Sequence, residues 1–450
     1  MKKTTLIFLV YLLLSYPPIA KGQGILDQYV LDGLQNNLVL KEKNIELERS
    51  LLALKDAKSF FLPALDFGAS YTLASGGRTI GFPVGDLLNP VYSTLNQLTG
   101  TTTFPQLENV SEQLLPDNFY DARFRASMPI VNTDLIYQKQ IREKQVLLSE
   151  YELKIYQANL IQDIKLAYYN FCTAYTAIEV IKSSKGLVEQ NLRDNQSLLK
   201  NGKGLPSAVL RAESEVENIN ALMIEAESRK QNAIHYVNFL LNRPIYSEVV
   251  FEEHLANQTE LALLMGEEDL STRPELLQVQ TAELIQETAI KASKNFWVPR
   301  ISTYADLGSQ SFDWAFDQDS RYALLGVNFN MSVFQGGRNR TQIYRSELGL
   351  KSVQNQKDLL TEKLELDLQL TKNEVIANQA ALQSAVKKLE SAAAYFRLVD
   401  RGFREGANSL IEFIDARSQL TQASLQKTIN SYNLLKSMAQ LERQLISQTY

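Results

Sequence analysis

Cysteine occurs once in the 450 residues, at Cys172, and histidine and tryptophan twice each. A single cysteine excludes an intrachain disulfide framework, and two histidines beside it leave almost no material for zinc or an iron–sulfur cluster, so neither metal nor other cofactor is expected. Charge of one sign is also missing. The 46 Lys and Arg against 51 Asp and Glu form no long single-sign blocks, and nucleic acid is not an expected partner. Past the first 22 residues no stretch holds the roughly 18 consecutive apolar residues of a transmembrane helix, which excludes a helical membrane protein. Catalytic signatures are absent: there is no Gly-rich loop ending in Lys-Ser or Lys-Thr, no Gly-x-Ser-x-Gly, no His-Glu-x-x-His. Glu252-Glu253-His254 has no second histidine or cysteine nearby and reads as a solvated link, and His235 as a helix-packing residue. No catalytic or metal-binding residue is assigned, and no enzyme is expected. With 45% hydrophobic and 22% charged residues the chain is nonetheless ordered.

What is present begins with an export signal over residues 1–22. Lys2 and Lys3 precede an apolar stretch from Thr5 to Tyr16, the breakers Pro17 and Pro18, and the small-x-small site Ala20-Lys21-Gly22. An uncleaved anchor or a buried strand is the alternative. No cysteine follows, so no lipid anchor is expected. The mature chain is then either soluble in a non-cytoplasmic space or a membrane β-barrel.

The chain repeats itself. Residues 38–73 match 274–309: Leu40 pairs with Leu276, Ala53 with Ala289, Lys58 with Lys294, Phe60 with Phe296 and Pro63 with Pro299. Gly202 likewise meets Gly406, and Ala212 meets Ala416. Two related halves follow, 23–250 and 273–450, joined by a link at 251–272. The first is read as a helix 25–61, strands 63–75 and 120–131, and a helical hairpin 132–242 with its tip near 202–206. The second is read as a helix 273–297, strands 299–311 and 321–334, and a hairpin 337–447 with its tip near 406–410. From Thr133 to Lys200 no proline intervenes, and Ile161, Ile164, Tyr168, Phe171, Tyr175 and Ile178 recur at spacings of three and four. At ~1.5 Å per residue such a helix is on the order of 100 Å long and must pack along others.

Four segments alternate in character, among them Leu65, Phe67, Ala69 and Tyr71 against Asp66, Gly68, Ser70 and Thr72. About ten residues with one apolar and one hydrophilic face suit an outer-membrane strand, and equally a half-buried soluble sheet. Four strands cannot close. In lipid each open edge would strand roughly ten backbone groups at several kcal/mol apiece, so chains would have to share one barrel. On that reading Asp66, Asp121, Arg123 and Arg125 face the barrel lumen, because charge facing lipid at mid-depth costs about 2–4 kcal/mol. The junctions Phe60, Phe61, Pro63 and Phe296, Trp297, Pro299 mark a membrane rim, or ordinary packing at a helix-to-strand bend.

Taken together, the signal, the aromatic–proline junctions, the strand pairs, the long hairpins, Arg273-Pro274-Glu275-Leu276 and Val333-Phe334-Gln335-Gly336-Gly337-Arg338 resemble the TolC-like outer-membrane efflux protein family. The resemblance covers nearly all of the mature chain. It implies a mainly α fold with membrane β: a homotrimer in the outer membrane, with a 12-stranded barrel continued by an α-helical tunnel through the periplasm. The implied activity is a passive exit duct working with a periplasmic adaptor and an inner-membrane pump. Gly202, Gly204, Leu205, Gly406, Ser409 and Leu410 would form the adaptor-binding tips, or mere helix stops. Phe403 to Ala416 resembles the family's tip motif, which makes Phe403, Asn408, Glu412 and Asp415 the implied channel gate; an acidic pair on a helix otherwise reads as a solvated face. Where the family's best-known member latches its entrance with tyrosine and arginine, this chain has Phe403 and Asn408, and Ala208 stands at the first-half acidic position. A different class also accommodates these features: a periplasmic coiled-coil spacer or adaptor without a pore. Residues 76–119 are read as an extracellular loop.

Overall fold

The computed structural model describes residues 24–253 and 270–445; the segment 1–22, His254 and most of the 251–272 link lie outside them. In chain order the helices and strands are α1 (Ile25–Asn36), α2 (Leu38–Ser59), β1 (Ala64–Thr72), β2 (Thr79–Phe82), α3 (Val84–Thr99), β3 (Val110–Gln113), β4 (Phe119–Val131), α4 (Thr133–Lys200), α5 (Pro206–Leu240), α6 (Pro274–Lys294), β5 (Arg300–Phe312), β6 (Arg321–Asn330), α7 (Arg338–Arg404) and α8 (Leu410–Leu445). The chain is mostly helical with a few strands. It divides into two compact units.

One unit takes in the described residues up to Leu51, those within Lys144–Gln286 and those from Gly349 onward. Its main core joins α1, α4, the end of α5 and α8 through Leu26, Tyr29, Ile164, Tyr168, Phe171, Leu241 and Tyr432. α1 approaches α4 so closely that a Cβ on Gly33 would collide with Ile164 Cδ1. Cys172 is buried here, and burial pushes its thiol up to about 12, which leaves it protonated and inert. The single helix expected over 25–61 is broken at Asn37. That residue turns to extended backbone, accepts the Leu40 amide at 3.0 Å as the cap of α2, and donates to the Leu240 carbonyl at 2.9 Å. Glu252 accepts the Ile25 amide at 3.1 Å, a helix-end partner where the sequence suggested a solvated link.

The Arg273-Pro274-Glu275-Leu276 run opens α6. Pro274 occupies the first helical position, where its missing N–H costs nothing. The Glu275 carboxylate is shared by two buried guanidiniums, Arg273 at 3.0 Å and Arg443. Arg273 also donates to Gln444 Oε1 at 2.7 Å and Arg443 to Asn159 Oδ1 at 2.8 Å. Burial by itself would push Glu275 up; the two arginines outweigh it and hold the carboxyl below its ordinary value.

The other unit is Leu52–Glu143 with Glu287–Leu348. Its main sheet is antiparallel throughout in the order β1-β4-β5-β6, and β2 and β3 form a separate hairpin. β1 pairs with β4 from Ala64↔Ser127 to Thr72↔Phe119, and β5 with β6 from Arg300↔Asn330 to Ser309↔Arg321. The β4–β5 register shifts between Pro129 and Val131. β6 ends at Asn330, short of the expected 334, because its partner begins at Arg300 directly after Pro299 and offers no ladder further along. The 76–119 segment, expected as a loop, carries β2, α3 and β3.

Candidate functional site

At the two hairpin tips, both in the helical unit, the same turn ends α4 and α7. Gly202 and Gly406 adopt φ of +66° and +76°, the left-handed region that glycine enters without strain. Lys203 N donates to Leu198 O at 2.9 Å and Gly202 N to Leu199 O at 3.0 Å; Ala407 N donates to Gly402 O at 2.7 Å and Gly406 N to Phe403 O at 3.1 Å. This paired pattern is the Schellman stop, made twice at corresponding positions. A Cβ on Gly204 would lie 2.7 Å from the Leu199 amide nitrogen, so a second glycine is needed for the chain to fold back.

The tips then diverge. α5 starts with Pro206 behind Leu205, which makes no side-chain cap. α8 starts with a capping box: Ser409 N and Oγ donate to Glu412 Oε2 at 2.7 and 3.0 Å, and Glu412 N returns to Ser409 Oγ at 3.3 Å. The Ser409 amide, then its hydroxyl and Asn408, hold Glu412 below the usual glutamate value. Asp415, exposed on the same helix, accepts Gln419 at 2.7 Å. Phe403 stacks on Phe413 with centroids 4.8 Å apart, inside a small core with Val399 and Ile414, and Asn408 lies against Gly402. Glu412 and Asn408 thus have a local structural task, and Phe403 is packed within its own chain. Beneath them Glu215 of α5 joins Arg211 at 3.2 Å and buried Arg417 of α8 at 2.8 Å, a tie between the hairpins that neither motif nor periodicity announced.

In the sheet unit the pleat sorts residues onto two faces. Asp121, Arg123 and Arg125 share one, with Asp66 opposite Arg125 across the β1–β4 pair. Arg125 holds Asp306 of β5 through two bonds of 2.7 and 2.6 Å, Arg123 pairs with Asp121, and Tyr322 donates to Asp121 at 2.9 Å. Asp306 was missed as a site residue; its signal was its place in the polar set of β5, opposite Arg125. The other face presents Leu65, Phe67, Phe124, Leu307, Leu325, Val327 and Phe329, all exposed, with Leu65 at 71% and Leu325 at 80%. β1 and β6 each have an unpaired edge among the described residues. Phe60, Phe61 and Pro63 follow the end of α2, and Phe296, Trp297 and Pro299 follow the end of α6, just before β1 and β5; Phe60 and Trp297 are exposed. Where β1 ends and β4 begins, Trp314 stacks over Tyr71 at 4.6 Å and over Tyr120 at 5.7 Å, a second aromatic group that the sequence did not reveal.

Among the described residues no helix is long and apolar enough to cross a membrane, and no group of His, Cys, Asp and Glu could hold a metal ion.

The comparisons with known proteins agree with this geometry. Residues 266–445 match the family model described as outer membrane efflux protein. The chain is 19% identical to outer membrane protein TolC of Escherichia coli over 97% of its own length and 84% of that protein's. It is 24% identical to the solvent efflux pump outer membrane protein SrpC of Pseudomonas putida, over 88% of this chain and 79% of that one. The fold superposes on the CmeC outer membrane channel of Campylobacter jejuni with a TM-score of 0.75 at 16% identity, covering 94% of this chain and 85% of the other. The second half of the chain is thus similar to the outer membrane efflux protein family, and the chain as a whole has the fold of outer membrane channels.

Proposed function

We propose that three copies join their sheets edge to edge into one 12-stranded barrel that serves as a passive exit duct, continued into the periplasm by the helical hairpins. One observation carries the reading: a four-stranded sheet with an uncovered apolar face and, among the described residues, an unpaired strand edge on either side. In hydrocarbon those edges would each leave roughly ten polar groups unmet, at several kcal/mol apiece, whereas β6 of one copy against β1 of the next satisfies both. The 13-residue β4 and β5 have the reach for this. At ~3.3 Å per residue and a tilt near 40° they rise about 33 Å, enough for the apolar band. The charged face, with its Asp66, Asp121, Arg123 and Arg125, would line the lumen, and the aromatic–proline junctions would sit at the inner rim.

The hairpin tips would meet a periplasmic adaptor that connects the duct to an inner-membrane pump, with Phe403, Asn408, Glu412 and Asp415 around the entrance. In planar bilayers, replacing Glu412 and Asp415 together by alanine should weaken cation preference; unchanged selectivity would remove them from that role. The assembly itself is tested by the mass of the complex extracted from outer membranes in mild detergent, alongside heat-sensitive gel mobility. Three chains that separate only on heating are expected. A lone folded chain that washes off membranes would favour a periplasmic spacer instead.

A further inference from the structure

The segment between β1 and β4 is a folded insert whose surface is left unexplained by a duct. Two asparagines on one side of α3 clasp the chain that follows it. Asn89 donates to Leu107 O and accepts Leu107 N at 2.8 and 2.7 Å; Asn96 does the same with Phe104 at 2.7 and 3.0 Å. Asp86 and Asn109 add another such pair, and Tyr92 packs on Phe104. With that side of the helix fixed, the remaining apolar side is uncovered. Leu87, Val91 and Leu98 are 69%, 51% and 78% exposed, and with Thr94 they stand at i, i+4, i+7 and i+11, one straight stripe.

A lipid surface is a poor match for this stripe. Helices that lie on membranes carry Lys and Arg on their polar side. The only ionised side chain on α3 is Asp86, and from Leu73 to Asn118 a single cation, Arg78, stands against Asp86, Glu108, Glu112 and Asp117. An uncharged stripe meets no repulsion from its own copy. The insert is also rooted in the right place: it leaves at Thr72 and returns at Phe119, and β1 is an edge strand, so its base lies at the seam where the next copy would add. Four side chains are far too few for two free chains to associate, since stable interfaces need on the order of 1,000 Å². Held on one barrel, however, the copies meet at effective concentrations of about a millimolar, and a small apolar contact suffices.

Building on the shared-barrel reading, we propose that α3 is an inter-copy docking helix whose Leu87–Val91–Leu98 stripe packs against the same helix of neighbouring copies, forming a cap across the outer mouth. The test uses the full chain in outer-membrane vesicles under mild oxidation, with Leu98→Cys on the stripe and Gln97→Cys beside it as control; Cys172 is buried and stays silent. Disulfide-linked pairs are expected from Leu98→Cys and few from Gln97→Cys, together with a several-fold rise in single-channel conductance when Leu87→Asp and Leu98→Asp are combined. Both leucines are exposed in the single chain, so the aspartates leave its fold intact. If the extracted complex has the mass of three chains, yet neither cysteine links copies and the aspartates leave conductance unchanged, the cap is overturned and the duct stands. A lone chain by mass would overturn both. A fluorophore on Leu98→Cys quenched by brominated lipid would overturn the cap by placing the stripe in the membrane.

Discussion

Two tyrosines on the charged face of the sheet lie over glycines of the adjacent strand. Tyr304 of β5 covers Gly326 of β6, and Tyr322 of β6 covers Gly308 of β5. The pairs look alike, but what surrounds each glycine differs. The three atoms nearest a Cβ on Gly326 all belong to the outer end of the Tyr304 ring, which can swing toward the open face. A Cβ on Gly308 would lie 2.8 Å from the Ala122 carbonyl oxygen and as close to Arg123 Cβ, both fixed by the ladder. Overpacking against fixed atoms costs about 1–3 kcal/mol, whereas lowering the freedom of the unfolded chain by a glycine-to-alanine change returns about 0.4–1 kcal/mol. In the proposed shared barrel, Gly308→Ala is therefore expected to lower the temperature at which the oligomer falls apart on a gel, and Gly326→Ala to leave it nearly unchanged. Equal losses would show that the tyrosine rings are as rigid as the backbone.

At the scale of elements, the start of α6 is pinned by a carboxylate between two guanidiniums. Removing one partner of a buried ion pair costs about 3–5 kcal/mol, because the remaining charge is stranded. Glu275→Gln leaves Arg273 and Arg443 in that position and is expected to cost on that order at neutral pH, read by urea unfolding of the purified chain. The pH dependence follows from the direction of the shift. The carboxyl is held below its ordinary value in the fold, so its contribution is complete above the glutamate range and disappears as acid passes through the lowered value. The natural chain should lose stability there and the glutamine variant should not. The same motif shows how far a one-dimensional reading reaches. Arg273-Pro274-Glu275-Leu276 was visible as one element of the family resemblance, yet its chemistry depends on Arg443 and Asn159, which only packing brings near. Alternation marked the four long strands because a pleat with one wet face imposes period two. It overran β6, since a strand also needs a neighbour. The tip glycines were legible because a positive φ selects glycine. Glu412 was legible as a carboxylate but not as the partner of Ser409, because one spacing serves both a helix cap and a charged face. The α3 insert stayed hidden because the asparagines that hold it bind backbone, which leaves no pattern in side-chain type.

For the whole molecule, the consequential feature is what the outer edge of β1 does. In a strand, successive N–H groups point to opposite neighbours, so of any two adjacent residues one donates toward β4 and the other away from it. Ala69 and Ser70 are such a pair near the middle of β1. Proline removes one N–H and is tolerated where that N–H faces nothing. If the sheet stayed open, one of Ala69→Pro and Ser70→Pro would break a bond within the chain, and the other would be almost silent. If β6 of a second copy completes the ladder, neither position is free. One variant weakens the chain's own sheet, and its neighbour weakens the join between copies while leaving the sheet of each chain sound. Both should then lose the heat-resistant oligomer, and only one should lower the unfolding midpoint of the dissociated chain. A single sensitive position of the two would mean that β1 remains an edge in the membrane, which the cost of unmet backbone groups in hydrocarbon forbids for a barrel of any number of chains.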